Sequence, residues 1–193
     1  MSHNSEQVQM VWPQGKTGLT SQFNLPEGYT LRTYQPGDEV GFYALMASVD
    51  WTGWDEDKLR PWLYRTLPEG WFFATHEKSG ELVGSCMATH DPTWESPFCG
   101  EVGWTVVHPD QQGKGLGKTL VSAVLGRFLR AGYSCIHLYT EVWRLAALKV
   151  YLDLGFVPYL QPPETTGQWE KICSQLDCLF EPERWPGELD FWT

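Results

Sequence analysis

Apolar positions along this chain change period repeatedly, and each change marks an element. Residues 29–34 alternate in steps of two and predict a first strand. Pro36, Gly37 and Asp38 then open a helix, with Asp38 as its cap and Phe42, Leu45, Met46 and Val49 as its buried stripe. Residues 50–57 form a polar and aromatic link. Leu59, Trp62, Leu63 and Leu67 make a second helical stripe, and Pro61 sets its start near residue 60. Residues 71–76 and 81–90 read as a hairpin turned at 77–80, and 91–100 as a loop. A strand over 102–107 stops at His108-Pro109-Asp110, because proline cannot continue a sheet ladder. Leu116, Leu120, Val121, Val124, Leu125, Phe128 and Leu129 then share one helical face. A strand over 135–141 follows. Next come a helix through Leu145, Leu148 and Leu152 to a capping Gly155, a strand over 156–160 and a last helix from Thr165 or Thr166 to Leu176.

The whole chain of 193 residues reads as a single domain. Residues 1–27 are a polar arm, ordered near Val8 to Trp12 by packing on the domain. Residues 28–160 are the core, and 161–193 a C-terminal extension with an acidic, aromatic tail.

A net charge of −10 argues against nucleic acid as a partner and suits a cationic one. Five cysteines without a close-spaced motif fit reduced thiols, and neither Cys-x-x-Cys nor His-Glu-x-x-His is present, so no metal is expected. No apolar run is long enough to span a membrane and no signal core opens the chain. A cytoplasmic protein is the expectation. Eleven tryptophans exceed ordinary usage; most fill core, and some are available to line a pocket for an ammonium group.

The chemistry concentrates where the strand ending at Val107 meets the helix beginning near Leu116. Gly113, Gly115 and Gly117 alternate with Lys114, Leu116 and Lys118. Strand, glycine-rich turn and helix N-terminus together bind anions, since backbone N–H groups and the helix dipole converge there. A nucleotide P-loop would need glycine at 112, where Gln112 stands, although Gly117-Lys118-Thr119 supplies its end. The dinucleotide pattern Gly-x-Gly-x-x-Gly also fails, with Lys118 and Leu120 in the way. The spacing that fits is Gln112-x-x-Gly115-x-Gly117. Further on, Ala147 to Phe156 reads Ala-x-x-x-Tyr-x-x-x-Gly-Phe around Tyr151 and Gly155.

These two motifs, in this order, resemble the GNAT family of acyl-CoA-dependent N-acetyltransferases over roughly residues 28–160. The resemblance implies an α+β, three-layer α/β/α fold with a twisted, mixed, mostly antiparallel sheet of six to seven strands. It implies that the strand ending at Val107 and the one over 135–141 run parallel and splay. The pantetheine arm of acetyl-CoA would enter that gap and pair with backbone groups of Val106 and Val107. Gln112, Gly113, Lys114, Gly115, Leu116, Gly117 and Lys118 would hold the pyrophosphate. Tyr151 is then the acid for the departing thiolate, and a backbone N–H near Val107 the oxyanion donor. Glu101 aligns with the general base that several histone acetyltransferases of the family use, with Glu141 and His90 as rivals and His108 as a loop residue. Many members carry asparagine where this chain has Arg144, whose role is left between a phosphate, an acidic substrate group and solvent.

The activity implied is transfer of an acetyl group to a primary amine, small-molecule or peptide, by direct attack in a ternary complex. The alternative from another class is a non-catalytic CoA-binding sensor. Trp51, Trp54, Trp62, Trp94 and the extension would decide the acceptor. A monomer or a homodimer is compatible with the sequence.

Overall fold

The computed structural model describes residues 6–13, 15–16, 25–92, 97–161, 163 and 165–186. Among the described residues seven strands form one sheet in the order β2-β3-β4-β5-β6-β1-β7. They are β1 (Gln7–Val11), β2 (Tyr29–Thr33), β3 (Thr66–His76), β4 (Leu82–His90), β5 (Cys99–Val107), β6 (Cys135–Glu141) and β7 (Val157–Tyr159). β5 and β6 are parallel, and the other neighbours are antiparallel. Among the described residues the α-helices are α1 (Asp38–Ala47), α2 (Glu56–Arg65), α3 (Leu116–Arg130), α4 (Leu145–Leu154) and α5 (Thr165–Leu176).

Period-two burial on the strands splits the core between two faces. Ala74, Cys86, Ala88 and Val102 pack with Leu116, Leu120 and Val124 of α3 and Leu148 and Tyr151 of α4. Trp71, Phe73, Met87 and Val106 pack instead with Phe42, Leu45 and Met46 of α1 and Leu59 of α2. The extension joins the first of these cores through Trp169 and Ile172 of α5. Among the described residues no helix is long and apolar enough to cross a membrane.

Several expectations need correction. The N-terminal stretch does not merely pack on the domain. β1 lies between β6 and β7, with Val8 facing Thr140 and Gln9 facing Tyr159. Val8 and Met10 are buried, and the amide of Gln9 donates to the hydroxyl of Tyr139 at 3.0 Å. α2 begins at Glu56 rather than near 60, because the carboxylate of Asp55 caps it by accepting the N–H of Lys58 at 2.9 Å. Pro61 sits inside that helix, and Leu67 belongs to β3 rather than to the helical stripe. Finally, the thiols are not all free: Cys99 and Cys135 hold facing register positions on β5 and β6 and form a disulfide. At α1 the cap position is Gly37; Asp38 is the first helical residue and pairs with Arg32 at 2.6 Å.

Two departures from regularity shape the middle of the sheet. The parallel pairing of β5 with β6 runs only from Cys99–Cys135 to Glu101–His137. Beyond it, β5 carries a bulge. Ser85 faces Val106 and Met87 faces Gly103, so Trp104 and Thr105 stand opposite Cys86 alone. Trp104 takes a φ of 49°, uncommon for a bulky residue. The extra residue moves the strand's far half to the other face. Val102 packs with α3, whereas Trp104 and Val106 pack with α1 and α2.

Candidate active site

The bulge and the end of the parallel pairing border two clefts. The first, about 670 Å³, lies between the end of β5, the glycine loop, the start of α3 and the inner face of α4. Gly113 and Gly115 hold φ of 76° and 85°, which favours glycine. Gly115 occupies the cap position of α3 with no side-chain cap. The first-turn N–H groups are thus left for an acceptor from outside the helix. Gln112 anchors the loop by donating from Nε2 to the carbonyl of Val107 at 3.2 Å. Gly113, Gly115, Leu116, Gly117, Lys118 and Val107 all line this cleft. A deep groove ending on an uncapped helix N-terminus, with a lysine beside it, fits a long ligand that carries phosphates.

Two residues expected here point elsewhere. The ammonium of Lys114 donates to Gln111 at 2.6 Å and to the hydroxyl of Tyr29 at 3.1 Å, so its charge is folded back onto the loop. The side chain of Val106 is packed among the α1 and α2 residues. Both are expected mainly through backbone groups, and neither is among the residues that line this cleft.

The second cleft, about 600 Å³, is walled by Trp51, Trp54, Trp62 and Trp104, with Glu101 and Glu141 among its lining residues. The Trp104 ring is the hub of that wall. It meets Trp54, Trp62 and Trp51 edge-on at centroid distances of 4.5, 5.0 and 5.8 Å. Trp94 lies outside the described residues, as does the tail beyond Pro186.

Three residues line both clefts: Thr105, Arg144 and Tyr151. Tyr151 is buried on α4, and burial holds its phenol above the ordinary tyrosine pKa, while the charge of Arg144 and the side chain of Thr105 pull the other way. Cys86 lies behind them, its thiol 3.2 Å from the hydroxyl of Thr105 and pushed up by burial to about 12.

Glu101 lines the second cleft as a mostly buried carboxylate. Burial raises its pKa; Arg65, 3.5 Å away, lowers it, and Asp91 raises it further. Arg65 also holds Asp91 at 3.2 Å, and Asp91 holds Nε2 of His137 at 3.1 Å. Burial brings the pKa of His137 down to about 4. Glu141 sits nearer the shared residues, 3.6 Å from Arg144. His90 is not brought to either cleft; its Nδ1 is 2.9 Å from the hydroxyl of Tyr133. His108 caps the short turn of Pro109–Gln111 by accepting from the N–H of Asp110 at 3.3 Å.

Thr105, Arg65 and Asp91 were missed in the sequence. No local pattern marks them, since each acquires its role from partners far along the chain.

Residues 39–156 match the model of the acetyltransferase (GNAT) family. The chain belongs to that family. Over 146 residues it is 34% identical to the mycothiol acetyltransferase of Streptomyces coelicolor, a match that covers 70% of this chain and 45% of the relative. The chain thus spans about half the length of the curated relatives it matches. Among solved structures, a GCN5-related N-acetyltransferase from Sphaerobacter thermophilus superposes with a TM-score of 0.60 at 24% identity, over 81% of this chain and 50% of that one. The NatC complex bound to Gag peptide and CoA contains a chain that matches with a TM-score of 0.59 at 24% identity, over 67% of this chain and 84% of that one. At these identities the likeness concerns the fold, which is the α+β GNAT fold expected from the two motifs.

Proposed function

We propose that this GNAT protein transfers an acetyl group from acetyl-CoA to a primary amine by direct attack in a ternary complex. The observation that carries this reading is the meeting of two clefts at Thr105, Arg144 and Tyr151. One cleft suits a phosphate-bearing thioester and the other an amine, and a reaction between them needs both to reach one point.

In this reading Gly113, Gly115, Gly117 and Lys118 hold the donor's pyrophosphate, and backbone groups at Val106 and Val107 hold its arm. The tryptophan wall receives the acceptor as an ammonium, which aromatic faces attract. Glu101 takes the amine's proton through water. Its raised pKa brings it closer to neutral pH, where a general base works best. The amine nitrogen bonds to the acyl carbon, the carbon–sulfur bond breaks, and Tyr151 hands its proton to the departing thiolate. An ordinary phenol is protonated at neutral pH, and the charge of Arg144 and the side chain of Thr105 offset part of the rise that burial causes, which favours release of that proton. Direct attack is favoured over an acyl-cysteine route by the state of Cys86, the thiol nearest the shared residues. At a pKa of about 12 it carries almost no thiolate.

The acceptor is a small molecule or a peptide. The likeness to mycothiol acetyltransferases supports a small molecule, and the likeness to a chain of the NatC complex, which was solved bound to Gag peptide and CoA, supports a peptide. The test is release of free thiol from acetyl-CoA over a panel of amines and peptide N-termini. Turnover with at least one amine is expected. Tight CoA binding with the thioester left intact across the panel would mark a sensor instead.

A further inference from the structure

We propose that Arg144 is a positioning residue for acyl transfer: its guanidinium ties the wall of the acceptor cleft to the β5 bulge and fixes a positive charge at the junction that Tyr151 lines. The proposal rests on reading Tyr151 as the acid of this site.

Arg144 occupies the cap position of α4, immediately after the solvent-exposed Trp143. From there its side chain reaches three separate segments. Nη2 donates to the carbonyl oxygen of Thr105, inside the bulge, at 3.2 Å. Nη1 lies 3.6 Å from the carboxylate of Glu141 at the end of β6. The guanidinium face lies over the Trp51 ring, 4.9 Å from its centroid, on the link before α2. One side chain thus joins β5, β6 and the aromatic wall where the two clefts meet. Lysine cannot do this, because a point charge has neither the fork nor the flat face.

The charge matters as much as the tie. When the carbon–sulfur bond breaks, negative charge develops first on sulfur and then on the phenol oxygen that gives up its proton. A cation already in place stabilises both without reorganising. The other groups that bear on Tyr151 are Glu141, which opposes that charge, and the neutral Thr105 hydroxyl and Cys86 thiol. Glu141 is itself held by Arg144, so removing the guanidinium also leaves its carboxylate unopposed beside the phenol.

The test combines Arg144→Gln and Arg144→Lys with Tyr151→Phe. Thiol release is measured with an amine that the wild type accepts. The Tyr151 phenol is titrated by NMR on ring-labelled tyrosine, assigned by its loss in Tyr151→Phe. Arg144→Gln should lower turnover by at least about tenfold, and this effect should shrink to under about threefold once Tyr151 is already phenylalanine. The phenol midpoint should rise in Arg144→Gln and stay near wild type in Arg144→Lys. Equal losses in both backgrounds, or an unmoved midpoint, would overturn the proposal and leave Arg144 a structural tie. Arg144→Met is a second neutral variant should the glutamine chain fail to fold. If no amine releases thiol from the wild type, the proposed function falls, and the NMR titration still decides whether Arg144 acts on Tyr151.

Discussion

Glu101 and His137 are the last facing pair of the parallel strands β5 and β6. Behind them the strands are joined by backbone pairing and by the Cys99–Cys135 disulfide; ahead of them β5 bulges at Trp104 and Thr105. The candidate base therefore stands at the point where the sheet begins to open.

Gly115→Val should remove CoA binding. A ligand at about a hundred times its dissociation constant adds about 2.7 kcal/mol of stability, several degrees in melting temperature. Valine at a φ of 85° strains the loop and puts a branched side chain where the helix N–H groups face the cleft. Gly37→Val is the control: its φ is 104°, also at a helix cap, but away from the cleft. Both variants should melt lower, and only Gly37→Val should keep the shift with CoA. A shift retained in Gly115→Val would remove the phosphate site from this loop.

Removing residues 1–12 should abolish the cooperative melt, because β1 is an interior strand flanked by β6 and β7 rather than an arm. A truncated chain with an unchanged melting temperature would restore the reading of a loose arm.

Much of the layout was legible in the sequence. α3, β6 and α4 stand where the apolar spacing and Gly155 place them, since α3 and α4 repeat apolar residues at helical spacing and β6 is a short apolar run buried at nearly every position. β1 shows the right alternation, Gln7-Val8-Gln9-Met10, but five residues do not say which strands they will separate. The bulge was hidden for a different reason. Val102, Trp104 and Val106 keep a regular step of two, and only the cross-strand register shows that the step changes face. The cysteine pair and the tie from Arg144 to Thr105 depend on long-range geometry, which no local spacing encodes. The start of α2 is marked by Asp55, a cap-forming residue three positions before Lys58, whereas Pro61 sits inside the helix.

Stability should fall as pH drops from about 6.5 toward 4, in part through His137. Its pKa is lowered in the fold to about 4 from an unfolded value of 6.5. Within that window the unfolded chain binds a proton that the folded chain does not, so each pH unit costs at most about 1.4 kcal/mol. His137→Gln should flatten this part of the profile in denaturant titrations. The same slope in both proteins would assign the loss to carboxylates alone.

Glu101→Gln should slow acetyl transfer most between the raised pKa of Glu101 and the higher pH at which the amine is already free. The carboxyl of Glu101 is held above the usual carboxylate range, so its basicity is lost as pH falls through that raised value. Above it the wild type has its base, and free amine grows more abundant with rising pH, so the variant should recover in part. Loss by the same factor at every pH would indicate a structural role through Arg65. No loss would move the base to Glu141, with Glu141→Gln as the next variant.

The most direct test of the account is Tyr151→Phe, read by thiol release beside a CoA titration. Phenylalanine keeps the ring and its buried area, so the fold should hold, and only the proton for the departing sulfur is lost. A positioned acid contributes roughly a hundred- to ten-thousand-fold, and a thiolate is a fair leaving group, so the expected loss in turnover is about a hundredfold with CoA affinity unchanged. Turnover within about threefold of wild type, at equal CoA affinity, would contradict the assignment of Tyr151 as the acid where the two clefts meet.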